Sequence, residues 1–228
     1  MEFADDLELS PLEQEKLLLH WQRVKEASSR FNLTAVLDDA DAAHKHYWDC
    51  LAARDELRAL APGSTVLDLG SGAGFPGLVL AAVCPELKFY LLDATAKKCD
   101  FLATTAAEMG LDNVEVICGR AEDAGRGELR ERVDLVTARA VAPLRELVEL
   151  ALPLLKTGGR LLAMKGSGFR QEIEEAAHAL SELKAQAAEC REYSLPTGDG
   201  RCLLLIEKLA PTGDKYPRRP GLPHKRPL

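Results

Sequence analysis

The sequence predicts an α/β protein: a doubly wound, mostly parallel sheet with an antiparallel last strand and a helical N-terminal extension. Three observations predict it. From Thr65 onward, short apolar runs alternate with helical stretches. The first run breaks into Gly70-Ser71-Gly72-Ala73-Gly74-Phe75-Pro76-Gly77, a strand that turns tightly and opens a helix. The last two apolar runs are joined by a link too short for a crossover, so they pair antiparallel.

The elements follow in order. Ser10-Pro11-Leu12-Glu13 is a capping box with proline at the first helical position. Leu17, Leu18, Trp21 and Val24 continue it as a helical stripe. Residues 31–36 read as a loop and 40–60 as a second helical stretch, ended by Ala61-Pro62-Gly63. Strands are expected at 65–69, 88–92, 114–117, 135–137, 160–164, 188–193 and 202–207, and helices at 76–83, 97–109, 143–155 and 169–184. This divides the chain into a helical extension (1–62), a sheet core (63–209) and a basic tail (210–228). Ligands of such sheets bind beyond the carboxyl ends of the strands. Those ends carry Asp68, Asp93, Cys118-Gly119-Arg120, Ala138-Arg139 and Lys165-Gly166.

With 46% hydrophobic and 29% charged residues, the chain has the composition of a soluble globular protein, and no apolar run approaches membrane-spanning length. Its start is acidic where a signal peptide is basic, so a cytoplasmic location is expected. The six cysteines form no C-x-x-C pair and are expected to be buried and reduced, with no metal site. The net charge of −7 averages two unlike parts: residues 208–228 carry six Lys/Arg and one Asp. Phosphate binding responds to local potential, so the basic tail leaves a nucleic-acid substrate open, although a flexible solvated terminus has the same composition.

Gly72, Gly74 and Gly77 satisfy the dinucleotide fingerprint G-x-G-x-x-G, which alone admits a nicotinamide cofactor. Asp68 argues otherwise. At the end of the first strand its carboxylate repels a pyrophosphate, but it suits S-adenosylmethionine, which carries an amine and a sulfonium and no phosphate. Asp93, ending the next strand, is placed to grip ribose hydroxyls and suits either cofactor.

Asn32-Leu33-Thr34-Ala35, Lys45-His46-Tyr47-Trp48-Asp49, the glycine loop from Asp68, Ala138-Arg139-Ala140, Lys165-Gly166, Tyr216-Pro217-Arg218-Arg219 and Lys225-Arg226-Pro227-Leu228 together resemble the small-subunit ribosomal RNA methyltransferase G family, also called glucose-inhibited division protein B. The resemblance runs from Asn32 to the C-terminus, with Cys50 where a serine is expected. It implies a class I (Rossmann-like) methyltransferase fold and N7-methylation of a guanine in the decoding region of 16S ribosomal RNA. It places cofactor contacts on Gly70, Phe75, Ala121, Glu122 and Arg139, beside Asp68, Gly72, Gly74 and Asp93. Arg139 and Lys165 are the expected catalytic residues. Arg139, Lys165, Arg218, Arg219, Lys225 and Arg226 are candidates for phosphate contacts, and His46, a candidate to stack on or near a base, rests on the resemblance alone. The partner is small-subunit rRNA or the small ribosomal subunit, and a monomer is expected.

Guanine N7 has an in-plane lone pair and no proton, so methylation there needs orientation rather than a general base. The loop after the fourth strand, Thr137-Ala138-Arg139-Ala140-Val141-Ala142-Pro143, lacks the Asn/Asp-Pro-Pro-aromatic signature of amino methylation and the Pro-Cys of carbon-5 methylation. In A-form RNA the N7 edge lies in a groove too narrow for side chains, so the target base must be looped or extruded. Two alternatives stand beside this reading: a methyltransferase acting on a small molecule or a protein, and a non-catalytic ribosome-assembly factor.

Overall fold

The computed structural model describes residues 7–31 and 33–228; the acidic start and Asn32 of the Asn-Leu-Thr-Ala motif lie outside the described residues. Seven strands form one sheet in the order β3-β2-β1-β4-β5-β7-β6. They are β1 (Thr65–Leu69), β2 (Lys88–Asp93), β3 (Val114–Cys118), β4 (Val133–Arg139), β5 (Leu155–Gly166), β6 (Ala185–Ser194) and β7 (Gly200–Lys208). Strands β1 to β5 pair parallel, whereas β7 inserts antiparallel between β5 and β6. The chain leaves β1 toward β2 and β3 on one side and returns to β4 and β5 on the other. The crevice at this reversal is where such sheets bind ligands.

Alternate strand residues feed two cores. Val66, Leu203 and Leu205 face one, and Leu67, Leu69, Leu204 and Ile206 face the other, as the period of two requires. The first core includes Trp21 and Val24 of α1 (Pro11–Ser28), Tyr47, and α5 (Gly77–Val83). The second is covered by α8 (Leu144–Ala151), α9 (Phe169–Glu175), α10 (Ala177–Glu182) and Tyr216. Helix α6 (Ala96–Glu108) packs along β2 and β3. The capping box of α1 forms as read: Glu13 N–H donates to Ser10 Oγ (3.3 Å) and Ser10 N–H to Glu13 Oε2 (2.7 Å).

Three stretches depart from the expected boundaries. Residues 40–60 are an interrupted run: α2 (Asp39–Ala42), a π-helical segment (Ala43–Trp48), α3 (Asp49–Leu51) and α4 (Arg54–Arg58). The wider turn carries His46 and Tyr47 to the glycine loop, a long-range demand that no local propensity encodes. The helix expected over 143–155 stops at Ala151, because Pro153 has no N–H to continue it, and Leu155 already opens β5. The helix expected over 169–184 is two helices meeting at Ala176.

The tail is folded. Arg130 donates to Tyr216 O (2.8 Å) and Thr212 O (2.7 Å), and Arg126 to Pro217 O (2.8 Å). Tyr216 and Pro217 are buried, and a short helix α11 (Leu222–Lys225) follows. The solvated-terminus reading therefore fails for this segment. The cysteines divide: Cys50, Cys84, Cys99 and Cys202 are buried, Cys118 and Cys190 exposed, and all six thiols are free.

Candidate functional site

Two cavities open at the carboxyl ends of the strands. One, of about 290 Å³, lies beyond β1, β2 and β3 and is bounded by Gly70, Asp93, Gly119, Ala121 and Glu122. The other, of about 970 Å³, lies beyond β4 and β5 and is bounded by His46, Arg139, Met164, Lys165 and Glu172. Val141 lines both. Two ligands can therefore approach each other across the loop after β4.

The glycine loop is held by carboxylates. Asp68 is fully buried; its Oδ2 accepts from Gly77 N–H (3.1 Å) and its Oδ1 from Thr137 O–H (3.0 Å). Burial raises its pKa to about 6, against hydrogen bonds and the Arg139 charge that pull the other way. Asp93 Oδ2 accepts from Gly72 N–H (3.0 Å) and Oδ1 from Thr95 N–H (2.9 Å). Two loop amides that a pyrophosphate would need are thus already occupied. A carboxylate pair of oxygens has about four acceptor sites, so Asp93, at the wall of the smaller cavity, retains capacity for a hydroxyl pair. Glu122 and Glu146 add further carboxylates to that wall, and Gly70 (φ +74°) presents bare backbone there. A Cβ on Gly70 would lie 3.0 Å from Val141 Cγ2, the residue that lines both cavities. This donor and acceptor set fits a ligand with hydroxyls and an amine, such as S-adenosylmethionine, and disfavours a diphosphate. The Asp68 oxygens brace the loop and β4 from beneath.

The helical extension fixes the tip of the loop. His20, fully buried, bonds Ala73 O through Nε2 (2.8 Å) and Tyr47 O–H through Nδ1 (2.9 Å). Because the carbonyl can only accept, Nε2 carries the proton and Tyr47 donates to Nδ1. Phe75 sits among three rings: His46 stacks on it at 4.5 Å, and His20 (4.9 Å) and Tyr47 (5.3 Å) meet it edge-on. The Arg139 guanidinium lies 5.2 Å from the same ring. Desolvation lowers the pKa of His20 and His46 to about 4 each, so both rings are neutral at pH 7. His20 had no signal in the sequence beyond its helical position next to Trp21.

Arg139 is mostly buried, with Nη1 donating to Lys45 O and Asp49 Oδ2, both at 3.1 Å. Asp49 in turn accepts from Tyr193 O–H (2.7 Å). Arg139 thereby ties β4 to the π-helical segment while its guanidinium lines the larger cavity.

Several expected contacts change role. Lys165 donates to Glu172 Oε2 (2.7 Å) and Ala142 O (2.9 Å), locking α9 to the loop after β4 instead of standing free as a cation. His46 is nine-tenths buried and bonded to Thr34 Oγ1 (2.9 Å), so it organises the Phe75 cluster, with its remaining surface at the wall of the larger cavity. Arg218 is clamped bidentately on the buried Glu149 (Nε–Oε1 2.9 Å, Nη2–Oε2 2.5 Å), which anchors the tail and pairs its charge. Arg219, Lys225 and Arg226 are exposed. Among the described residues, no helix is long and apolar enough to cross a membrane, and no cluster of His, Cys, Asp and Glu is placed to hold a metal.

Comparison with known proteins agrees with this arrangement. The family model for rRNA small subunit methyltransferase G matches residues 13–197. The chain is 40% identical to the ribosomal RNA small subunit methyltransferase G of Streptococcus sanguinis (strain SK36), over 97% of this chain and 94% of that protein. It is 44% identical to the protein of the same name from Symbiobacterium thermophilum (97% and 93%) and 47% identical to that of Thermotoga sp. strain RQ2 (87% and 85%). Among solved structures, a SAM-dependent methyltransferase from Aquifex aeolicus superposes with a TM-score of 0.55 at 21% identity, covering 75% of this chain and 95% of that one. M. jannaschii TYW2 in complex with AdoMet superposes with a TM-score of 0.52 at 14% identity (71% and 77%). These two likenesses show the class I methyltransferase fold.

Proposed function

The chain belongs to the rRNA small subunit methyltransferase G family, and from that membership we propose that it transfers a methyl group from S-adenosylmethionine to N7 of a guanine in the decoding region of 16S rRNA. The observation that carries the reading is the pair of cavities meeting at Val141, one walled by carboxylates and the other large enough for a base. Relatives named for this activity cover nearly the whole chain.

When bound, S-adenosylmethionine supplies a methyl on a sulfonium, open to in-line displacement. Asp93 takes ribose hydroxyls, and the Gly70, Gly72 and Gly74 backbone lets the ligand approach closely. Ala121 and Glu122 edge its base, and Phe75, held in its ring cluster, keeps the loop tip in shape. Arg139 and Lys165 hold the mouth of the base cavity: each ties the β4 region to a flanking element and so sets where the guanine stops. N7 arrives without a proton, so orientation and exclusion of water suffice. The neutral His46 and the paired Lys165 suit a reaction without proton transfer. Arg219, Lys225 and Arg226 supply phosphate contacts whose strength falls with salt. The division into extension (1–62), core (63–209) and tail (210–228), action as a monomer, and a cytoplasmic location belong to the same reading.

The test is transfer of labelled methyl from S-adenosylmethionine to small ribosomal subunits lacking the mark, with nucleoside mass spectrometry. N7-methylguanosine should form with the native chain and fall at least a hundredfold with Arg139→Ala. Cofactor binding without transfer to subunits or rRNA overturns the reading in favour of another substrate or a non-catalytic assembly role.

A further inference from the structure

The wall of the smaller cavity is not supplied by the sheet alone. Gly221 and His224, from the tail, line it together with Asp93 and Glu122. Gly221 N–H donates to Glu122 Oε1 (2.8 Å), and His224 Nδ1 lies 3.1 Å from Glu146 Oε2. Glu122 and Glu146 are both buried, and both line the cavity. Behind them the Arg218–Glu149 clamp, with Arg218 Nη2 also on Arg226 O (2.7 Å), fixes the segment to α8. The turn depends on Gly221 at φ +77°. The exposed cations Arg219, Lys225 and Arg226 sit on this same short segment.

We infer that residues 221–224 are part of the cofactor site, and that RNA phosphates engaging Arg219, Lys225 and Arg226 tighten cofactor binding by holding this wall in place. The inference rests on the proposed methyl transfer for the identity of both ligands. Two ligands that contact the same short segment are coupled through it, and the coupling is reciprocal. An enzyme so built holds its cofactor best when its RNA is present.

Isothermal titration with S-adenosylhomocysteine tests this on four chains: the full chain, a chain ending at Pro220, Gly221→Ala, and Arg219→Gln/Lys225→Gln/Arg226→Gln together. The shortened chain retains the Arg218–Glu149 clamp and the fully buried residues of both cores, losing Leu228 from the edge of the second, and its folding is checked by thermal unfolding. Its affinity should fall at least roughly tenfold, the effect of losing one wall contact of ordinary strength. Gly221→Ala meets no atom within 4 Å of the added Cβ, so it acts through backbone strain only and should weaken binding roughly fivefold. A decoding-region rRNA transcript should raise the full chain's affinity at least about fivefold, and the triple variant should lose that enhancement. Unchanged affinity in the folded shortened chain and in Gly221→Ala overturns the inference, as does RNA enhancement that survives the triple substitution. If the full chain itself bound no S-adenosylhomocysteine, the functional reading would fall, and the inference with it.

Discussion

Asp68→Asn separates what the loop needs for stability from what it needs for its ligand. The carboxyl is fully buried and its pKa is raised from 3.8 to about 6. A raised carboxylate pKa means the folded state binds its proton more tightly than the unfolded chain. Stability from this group is therefore full below pH 3.8 and lost as pH rises through 6. At 1.36 kcal/mol per tenfold, keeping Asp68 ionised at pH 7.5 destabilises the fold by about 3 kcal/mol, and by about half that at pH 5. Asparagine has nearly the same shape. Its oxygen accepts from Gly77 N–H and its amide donates to the Thr137 hydroxyl, which can reverse its role. The variant should gain up to about 3 kcal/mol in urea unfolding at pH 7.5, with the gain about halved at pH 5. Cofactor affinity should fall about tenfold, because a charge kept in the site against its burial serves the ligand's amine. A variant less stable than the native chain at pH 7.5, or a difference that ignores pH, refutes the reasoning.

Other outcomes follow from the same geometry. A Cβ at Gly77 would lie 2.4 Å from Leu91 Cδ2 and 2.6 Å from Asp68 Oδ2, so Gly77→Ala should destabilise by about 3 kcal/mol in chemical denaturation. Lys208 is fully buried with Nζ on Glu131 Oε1, Leu152 O and Leu155 O; Lys208→Met should lower unfolding free energy by about 1–3 kcal/mol, since it takes a donor from two carbonyls and the cation from Glu131, which keeps the Thr212 N–H. His20 and His46 should titrate near pH 4 by NMR rather than near 6.5. Their depressed values mean that the stability they contribute is present above pH 6.5 and lost as pH falls toward 4. A titration near 6.5 in the folded protein would refute their burial as neutral rings.

Much of the fold is legible because its signals are local. The apolar runs mark every strand, the capping box marks α1, and the short link before β7 forces the antiparallel pair. What blurred were boundaries that distant packing sets, above all the π-helical segment, which widens to bring His46 and Tyr47 against Phe75. The two carboxylates of the site were legible by position, but the direction of Asp68 was not, since a strand end shows which residue is near a ligand and not which way its oxygens turn.

The glycine loop, the acids that end β1 and β2, and the family could be read from the chain alone, because each motif rests on adjacent residues. Which cations are paired and which are exposed emerged with the folded packing. Arg218 and Arg219 are neighbours, yet one is clamped on Glu149 and the other is exposed; Lys165 is spent on Glu172 seven residues away. The same holds for the tail, which meets Glu122 across ninety-nine positions to wall the smaller cavity. Side-chain pairing between distant segments is fixed when the cores close, and the order of residues along the chain carries no direct record of it.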